Sequence, residues 1–418
     1  MLKIYLVIYN MLFVMSLPIL VAVIMFNKKY RKEFFYKIFE RFAFYGNLIK
    51  QHDKPTIWIH CASLGEVRAV EPILDNLKAD NNIILTTITK TGREYAQKIK
   101  KTNFVFLFPV DIYPIMLKAF RMIKPDMIII VETELWPTLL YTAFKKNVLV
   151  VTVNGRMSEK AFNIYKKLSF FWKVFVNLIS IIIARSSDDS DRFKILRENN
   201  NDVFTSGNIK YDRDFSTDFK RSSISLKEED FIFTAGSIRD GEEEIIIDAF
   251  SKIRSEFDNV KFFIAPRHIT KINDIINFIK NKNIEYSLFS SNNFKSNFIL
   301  VDVFGKLQEI YSISDVCYVG GSMVDMGGQN PVEPAGLAKP VLFGKYMDNF
   351  ASESKILVKN GGALIVQDSI DLASKIKELI LDHKMLKSMG QNALETVEAQ
   401  KGAVAFTINM IKSKLYVK

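Results

Sequence analysis

Cysteine and histidine are scarce in this chain, and acid does not balance base. Of 418 residues only two are cysteines, Cys61 and Cys317, far apart and each in an apolar run. That excludes a disulfide-stapled fold and points to buried free thiols in a reducing compartment. The four histidines, His52, His60, His268 and His383, form no paired ligand motif, so the sequence offers no metal spacing. Against 57 Lys+Arg stand 46 Asp+Glu, a net charge of +11. A basic surface favours anionic partners, whether nucleic acid, acidic lipid or a phosphorylated substrate. Internal repeats are absent, and so are low-complexity tracts beyond a Lys/Asn bias. With 48% hydrophobic and 25% charged residues the composition is globular, and the length suits two domains of roughly 150 to 200 residues each.

One long apolar run is present. From Ile4 to Phe26 no charge occurs, only Lys3 precedes it, and Lys28, Lys29, Arg31 and Lys32 follow it. A helix of that length spans roughly 34 Å, enough for a bilayer core. The basic flank predicts that the bulk of the chain faces the cytoplasm. A signal peptide would carry its charges before the apolar run, so the segment reads as a retained membrane segment, with an interfacial or buried helix as the other possibility. Residues 28–44 then mix Phe34, Phe35, Ile38, Phe39, Phe42 and Phe44 with Lys37 and Arg41. This predicts a basic aromatic helix that lies on an anionic membrane surface or packs on the first domain.

From about residue 50 strands and helices alternate, which predicts a parallel sheet covered on both faces. The run Trp58 to Cys61 leads into Ala62-Ser63-Leu64-Gly65-Glu66, placing a carboxylate at a strand's carboxyl end, where open α/β sheets bind ligands. The alternative for Glu66 is a charge that only complements a helix dipole. The buried-type strand Asp126 to Val131 ends in Glu132-Thr133-Glu134-Leu135-Trp136-Pro137, and two carboxylates there are costly unless paired or solvated. After Ser206-Gly207-Asn208-Ile209-Lys210-Tyr211-Asp212 a polar stretch to Asp230 reads as an interdomain linker, and a second alternating series begins at Phe231. Its strand ends carry Pro266-Arg267-His268, Lys306, Gly320-Gly321-Ser322 and Gly327 to Pro334. Glycines there would let backbone N–H groups approach a phosphate, and Asn330 and Glu333 could read hydroxyls or a base edge.

These blocks, Ser63 to Glu66, Glu132 to Pro137, Asn154-Gly155-Arg156-Met157-Ser158, Gly207 to Asp212, Pro266 to His268 and Val319 to Pro334, occur in the order found in a known family. The chain resembles a 3-deoxy-D-manno-octulosonic acid (Kdo) transferase over nearly its whole length. The resemblance implies an α/β GT-B glycosyltransferase fold: two Rossmann-like domains facing across a cleft, with an N-terminal membrane helix. The expected division is an anchor and basic helix at 1–45, an acceptor domain at 46–205 and a donor domain at 206–418.

It further implies transfer of Kdo from CMP-Kdo to lipid IVA at the cytoplasmic face of the cell inner membrane, alongside membrane lipids and with no nucleic-acid partner. No cofactor is implied beyond the donor substrate CMP-Kdo. Carried over by position, Glu66 is the general base, and Glu132 and Lys210 stabilise the transition state. Pro266, Arg267, Phe304, Gly305, Lys306, Asn330, Pro331, Val332 and Glu333 form the CMP site. Two positions depart from the family pattern: Lys306 stands where a Glu is usual, and Gln329 where a His is usual. Two other readings stay open, a GT-B transferase using a UDP-sugar on a lipid-linked acceptor and an inactive nucleotide-binding relative.

Overall fold

The computed structural model describes residues 2–48, 53–224 and 226–416; His52 lies outside them. The chain divides into two compact units, residues 1–213 with 401–418, and residues 214–400. Each is built on one seven-stranded sheet in which every pairing is parallel.

In the first unit the strands are β1 (Thr56–Cys61), β2 (Asn82–Thr87), β3 (Phe104–Leu107), β4 (Met127–Val131), β5 (Leu149–Gly155), β6 (Ile181–Ala184) and β7 (Val203–Thr205). Their order is β3-β2-β1-β4-β5-β6-β7, so the winding reverses between β1 and β4. All residues of β1 and β4 are buried, as a parallel sheet covered on both faces requires. On one face the helix Leu64–Leu77 buries Val67, Val70, Ile73, Leu74 and Leu77, a stripe at helical spacing. The other face packs around Trp58, Phe120, Ile128 and Phe175.

The second unit repeats the plan with β8 (Phe231–Ile238), β9 (Val260–Pro266), β10 (Tyr286–Leu288), β11 (Phe298–Leu300), β12 (Val316–Val319), β13 (Val341–Phe343) and β14 (Ala363–Ile365). The order β10-β11-β9-β8-β12-β13-β14 reverses between β8 and β12. The two strand ends come so close there that a Cβ on Gly320 would stand 2.5 Å from the Ile238 Cα.

Four features differ from expectation. The short strands β7 and β10 were not foreseen, because they are only partly buried and carry no continuous apolar run. The expected linker up to Asp230 is structured from Asp214 onward as part of the second unit: Arg221 donates to the Ile313 and Asp230 carbonyls and pairs with Asp315 at 2.7 Å. The chain's end returns to the first unit instead of completing the second. Its last helix, Ala403–Leu415, puts Ala403, Val404, Ile408 and Ile411 into the first unit's core, and the Asp212 carboxylate accepts from Gly402 N and Val404 N at 2.5 Å. The basic aromatic segment, finally, is two short helices, Lys28–Phe35 and Ile38–Arg41, interrupted by Lys37 at φ 49°. Glu40 fixes the second to the body through a two-pronged bond to Arg93 at 2.8 and 2.7 Å, while Phe35, Phe39, Phe42 and Phe44 stay exposed.

The apolar helix Leu2–Phe26 is long and apolar enough to cross a membrane. Its first half also packs on the first unit: Leu6 is buried, Tyr5 meets Phe171 edge-on at 5.8 Å, and Asn10 Nδ2 donates to Thr138 Oγ1 at 3.3 Å. Ile4, Ile8, Leu12, Met15 and Ile19 are exposed.

Because the last helix belongs to the first core, Ile411→Ala should cost the first unit ~2–5 kcal/mol. Amide hydrogen exchange should then quicken in Leu64–Leu77 while β8 and β9 keep their protection. Equal loss in both units would contradict this division.

Candidate active site

In the first unit the chemistry-bearing residues gather at the carboxyl ends of β1, β4, β5 and β7, around the reversal between β1 and β4. Open parallel sheets form a crevice at such a point. β1 ends at Cys61, and Ser63 caps the next helix, its Oγ accepting from Glu66 N at 3.4 Å. The Glu66 carboxylate turns back on the same turn, taking the Ala62 N–H at 2.6 Å and the Ser63 hydroxyl at 2.9 Å. This resembles a capping box, except that the carboxylate takes the N–H of Ala62, the residue before the cap, and capping leaves part of the carboxylate unspent for other work. Glu66 is 8% exposed. Burial, and then the negative charge of Glu132, push its pKa up to about 7, against the opposing pull of its two hydrogen bonds.

Glu132 follows β4 directly with φ 60°. A non-glycine residue in that region costs on the order of 1–3 kcal/mol, and the ladder is kept by Glu132 N donating to Val153 O at 3.0 Å. The carboxylate pairs with Lys210 Nζ at 3.1 Å, the two side chains being 19% and 21% exposed. Burial alone would raise the Glu132 pKa; Lys210, with Arg156 and Arg185 behind it, outweighs that and lowers it. Lys210 reaches this place because Gly207 turns at φ 91°. Asn208 then caps the short helix Ile209–Asp212, accepting from Lys210 N at 3.1 Å, and Asn154 at the end of β5 accepts from Ile209 N at 3.2 Å.

Glu134, one of the two carboxylates noted in the sequence but given no role, and Asp111, not singled out there, belong to the same group. Glu134 is pushed up to about 7, by burial and additionally by Glu132, so Glu66 and Glu134 are both raised toward neutrality near Glu132, which Lys210 holds charged. Asp111 anchors the loop from behind: its carboxylate accepts from Thr138 N at 3.0 Å and Leu139 N at 2.9 Å, fixing the start of the helix Pro137–Lys145. The Glu-x-Glu spacing was a visible signal for Glu134; Asp111, distant in sequence, gave none. His60 is no acid or base here. Fully buried beside Phe108, it is pushed down to about 3. Thr86 Oγ1 accepts from Trp58 Nε1 at 2.9 Å and lies 3.1 Å from His60 Nδ1, so its own proton is free for a neutral imidazole.

In the second unit the expected CMP residues lie at the carboxyl ends of β9, β11 and β12. Pro266 ends β9, and Arg267 N donates to Ile238 O at 3.0 Å. Phe304 is exposed and Gly305 turns at φ 86°. Lys306 pairs with Glu309 at 2.8 Å, which neutralises the unusual cation locally. Asn330 Oδ1 accepts from Val332 N at 3.2 Å, and its amide donates to Glu333 at 3.4 Å, with Pro331 opening the short helix Val332–Ala335.

The first glycine pair departs from expectation. Its neighbourhood is organised by buried Glu242, which accepts from Gly321 N at 2.5 Å, Ser322 N at 2.9 Å, Met323 N at 3.0 Å and the Tyr318 hydroxyl at 2.6 Å. Gly320 N is bound to Gly236 O, and Gly328 N to Gly321 O. Those amides are spent on the protein's own carboxylate and carbonyls, so this turn is a scaffold for the Gln329 to Glu333 segment rather than a phosphate cradle.

The comparisons with known proteins agree with this arrangement. Residues 36–213 match the family described as 3-deoxy-D-manno-octulosonic-acid transferase (kdotransferase). The chain is 31% identical, over 91% of its length and 91% of the relative's, to 3-deoxy-D-manno-octulosonic acid transferase of Haemophilus influenzae. It is 37% identical over 73% of its length to a bifunctional glycosyltransferase/methyltransferase of Fusobacterium nucleatum, of which it spans 50%. Among solved structures, UDP-GlcNAc 2-epimerase from Neisseria meningitidis bound to UDP-GlcNAc superposes with a TM-score of 0.62 over 86% of this chain and 100% of that one. At 12% identity that likeness shows the fold alone, two Rossmann-like units of the GT-B type.

The coupling between the carboxylates can be read directly. In Glu132→Gln the Glu66 carboxyl, followed by carbon-detected NMR, should titrate below its wild-type midpoint of about 7, because a like charge has gone. An unmoved midpoint would mean that burial alone sets it.

Proposed function

The chain belongs to the 3-deoxy-D-manno-octulosonic acid (Kdo) transferase family, and from that premise we propose that it transfers Kdo from CMP-Kdo to lipid IVA with inversion at the anomeric carbon. Membership makes it a glycosyltransferase of lipopolysaccharide synthesis; acceptor, stereochemistry and residue roles are our reading. The observation that carries it is Glu66, a buried carboxylate pushed up to about 7 at the sheet's switch point beside the Lys210-paired Glu132.

A sugar hydroxyl is a poor nucleophile, and a carboxylate within hydrogen-bond reach accepts its proton as attack proceeds. A base poised near neutrality serves this best, since most of it is ionised just above pH 7 while it still holds a proton well. CMP leaves as an anion, so its departure needs positive potential rather than an acid; Arg267 and the backbone around Phe304 to Lys306 and Asn330 to Glu333 supply it in this reading. The reacting carbon gains positive charge beside Kdo's own carboxylate, and anionic Glu132 with cationic Lys210 matches that mixed charge. No step is assigned to a metal. The apolar helix and the exposed phenylalanines of 35–44 keep the enzyme at the cytoplasmic face of the inner membrane, where a phosphorylated lipid acceptor is held.

The test is product mass after incubation with lipid IVA and a CMP-Kdo supply. Wild type should add one or more Kdo units. Glu66→Gln, which preserves the shape of the cap, should lower the rate by about 10²–10⁴-fold and leave CMP-Kdo affinity within about twofold. A loss of affinity as large as the loss of rate would remove Glu66 from the base role. Transfer from a UDP-sugar but not from CMP-Kdo would replace the donor. Chelation with EDTA should leave the rate unchanged, and a metal-restorable loss would overturn the metal-free mechanism.

A further inference from the structure

Between the apolar helix and the turn after β3 runs a groove of about 580 Å³, within the ~300–1,000 Å³ usual for ligand sites. Leu6, Val7, Met11 and Val14 form one wall; Ile112 and Pro114, with Tyr141 behind them, form the other. We propose that this groove binds a fatty acyl chain of the lipid acceptor, an inference that rests on the transferase reading above.

Three observations select that occupant. Apart from the Tyr113 and Tyr141 hydroxyls the groove has little left with which to recognise a polar ligand: the Asn10 amide donates to Leu6 O at 2.9 Å and Thr138 Oγ1 at 3.3 Å, and its carbonyl accepts from Tyr113 N at 3.0 Å. The side of the helix away from the body is apolar, with Ile8, Leu12 and Ile19 exposed and outside the groove, so the groove shares a wall with a surface suited to lipid. Among the described residues lining it the one charged side chain is Lys3, which suits the phosphate of a lipid head group at the groove's rim.

Position distinguishes an acceptor chain from a bystander lipid. Ile112 follows Asp111, and Asp111 fixes the start of the helix that continues from the Glu132–Trp136 loop. The groove thus opens at the carboxyl end of the sheet, the end that carries Glu66. A chain seated there would hold its sugar on the side of the sheet where the base stands. Binding energy gained away from the reacting atoms in this way serves orientation.

The experiment uses the full chain in vesicles, with lipid IVA carrying a diazirine on one acyl chain as probe. Photolabel should fall within residues 3–15 or 112–114. Met11→Trp, which fills the groove, should cut that label about tenfold and raise the KM for lipid IVA relative to its deacylated sugar by a similar factor, as the loss of one or two methylenes' contact would. Leu12→Trp, one residue along the helix and outside the groove, should change neither. The proposal is overturned if the label falls elsewhere, if both variants behave alike, or if a diazirine phosphatidylglycerol labels the groove and lipid IVA does not. Labelling does not depend on turnover. A groove that labels in a protein without Kdo transfer would sink the function and spare the groove; transfer with the label elsewhere would do the reverse.

Discussion

The Glu132–Lys210 ion pair is the constraint on which the first unit's site depends. Two largely buried charges are stable in such a place only because each has the other, and the pair links two distant parts of the chain, the end of β4 and the turn after β7. Its geometry is costly at both ends: Glu132 occupies the left-handed region, and Lys210 needs Gly207 and the Asn208 cap to reach it. The backbone strain is offset by the ladder bond to Val153 and by Asn154, which accepts from the segment carrying Lys210. Held charged in this way, Glu132 raises the pKa of both Glu66 and Glu134. The ion pair therefore adds to burial, which is the larger cause, in raising the two carboxyls beside it.

The second unit solves the same placement problem with a different device. A single buried carboxylate, Glu242, gathers three consecutive amides and a tyrosine hydroxyl and so fixes the loop after β12. A negative charge with that many donors is well satisfied. Its use there spends the amides of Gly321, Ser322 and Met323 on the protein's own carboxylate and withdraws the first glycine pair from a role with phosphate. Pairing of Lys306 with Glu309 has a similar effect on the departure at that position, since it returns the local charge toward neutral.

Much of this was legible from the residues, and the exceptions share a cause. The strand Asp126 to Val131 was read to within one residue of β4, because a continuous apolar run between turn signals has few other readings. The clustering of Glu66, Glu132 and Lys210 was anticipated from strand ends and family order. What escaped were relations between segments far apart in sequence: Asp111 capping the helix after the Glu132 loop, Glu242 occupying the glycine amides, and the final helix crossing back to the first core. None leaves a periodicity or a local motif. The break at Lys37 was missed for another reason. Phe34 to Phe44 has helical amphipathic spacing, but Glu40 is drawn onto Arg93 and the Leu107 amide, and tertiary bonding overrode the local pattern.

Glu66 shows why a structural role need not argue against a chemical one. A carboxylate has about four lone-pair directions, and the cap uses two of them, for Ala62 N and the Ser63 hydroxyl. Those bonds favour the charged form and lock the rotamer, so the unspent lone pairs keep a fixed direction. Burial and Glu132 act oppositely and hold the proton affinity near neutrality. An exposed glutamate would ionise well below neutrality, and one buried without the cap would lose the two bonds that favour its charged form. The capping bonds are thus part of what leaves Glu66 ionised, oriented and still basic at the end of β1.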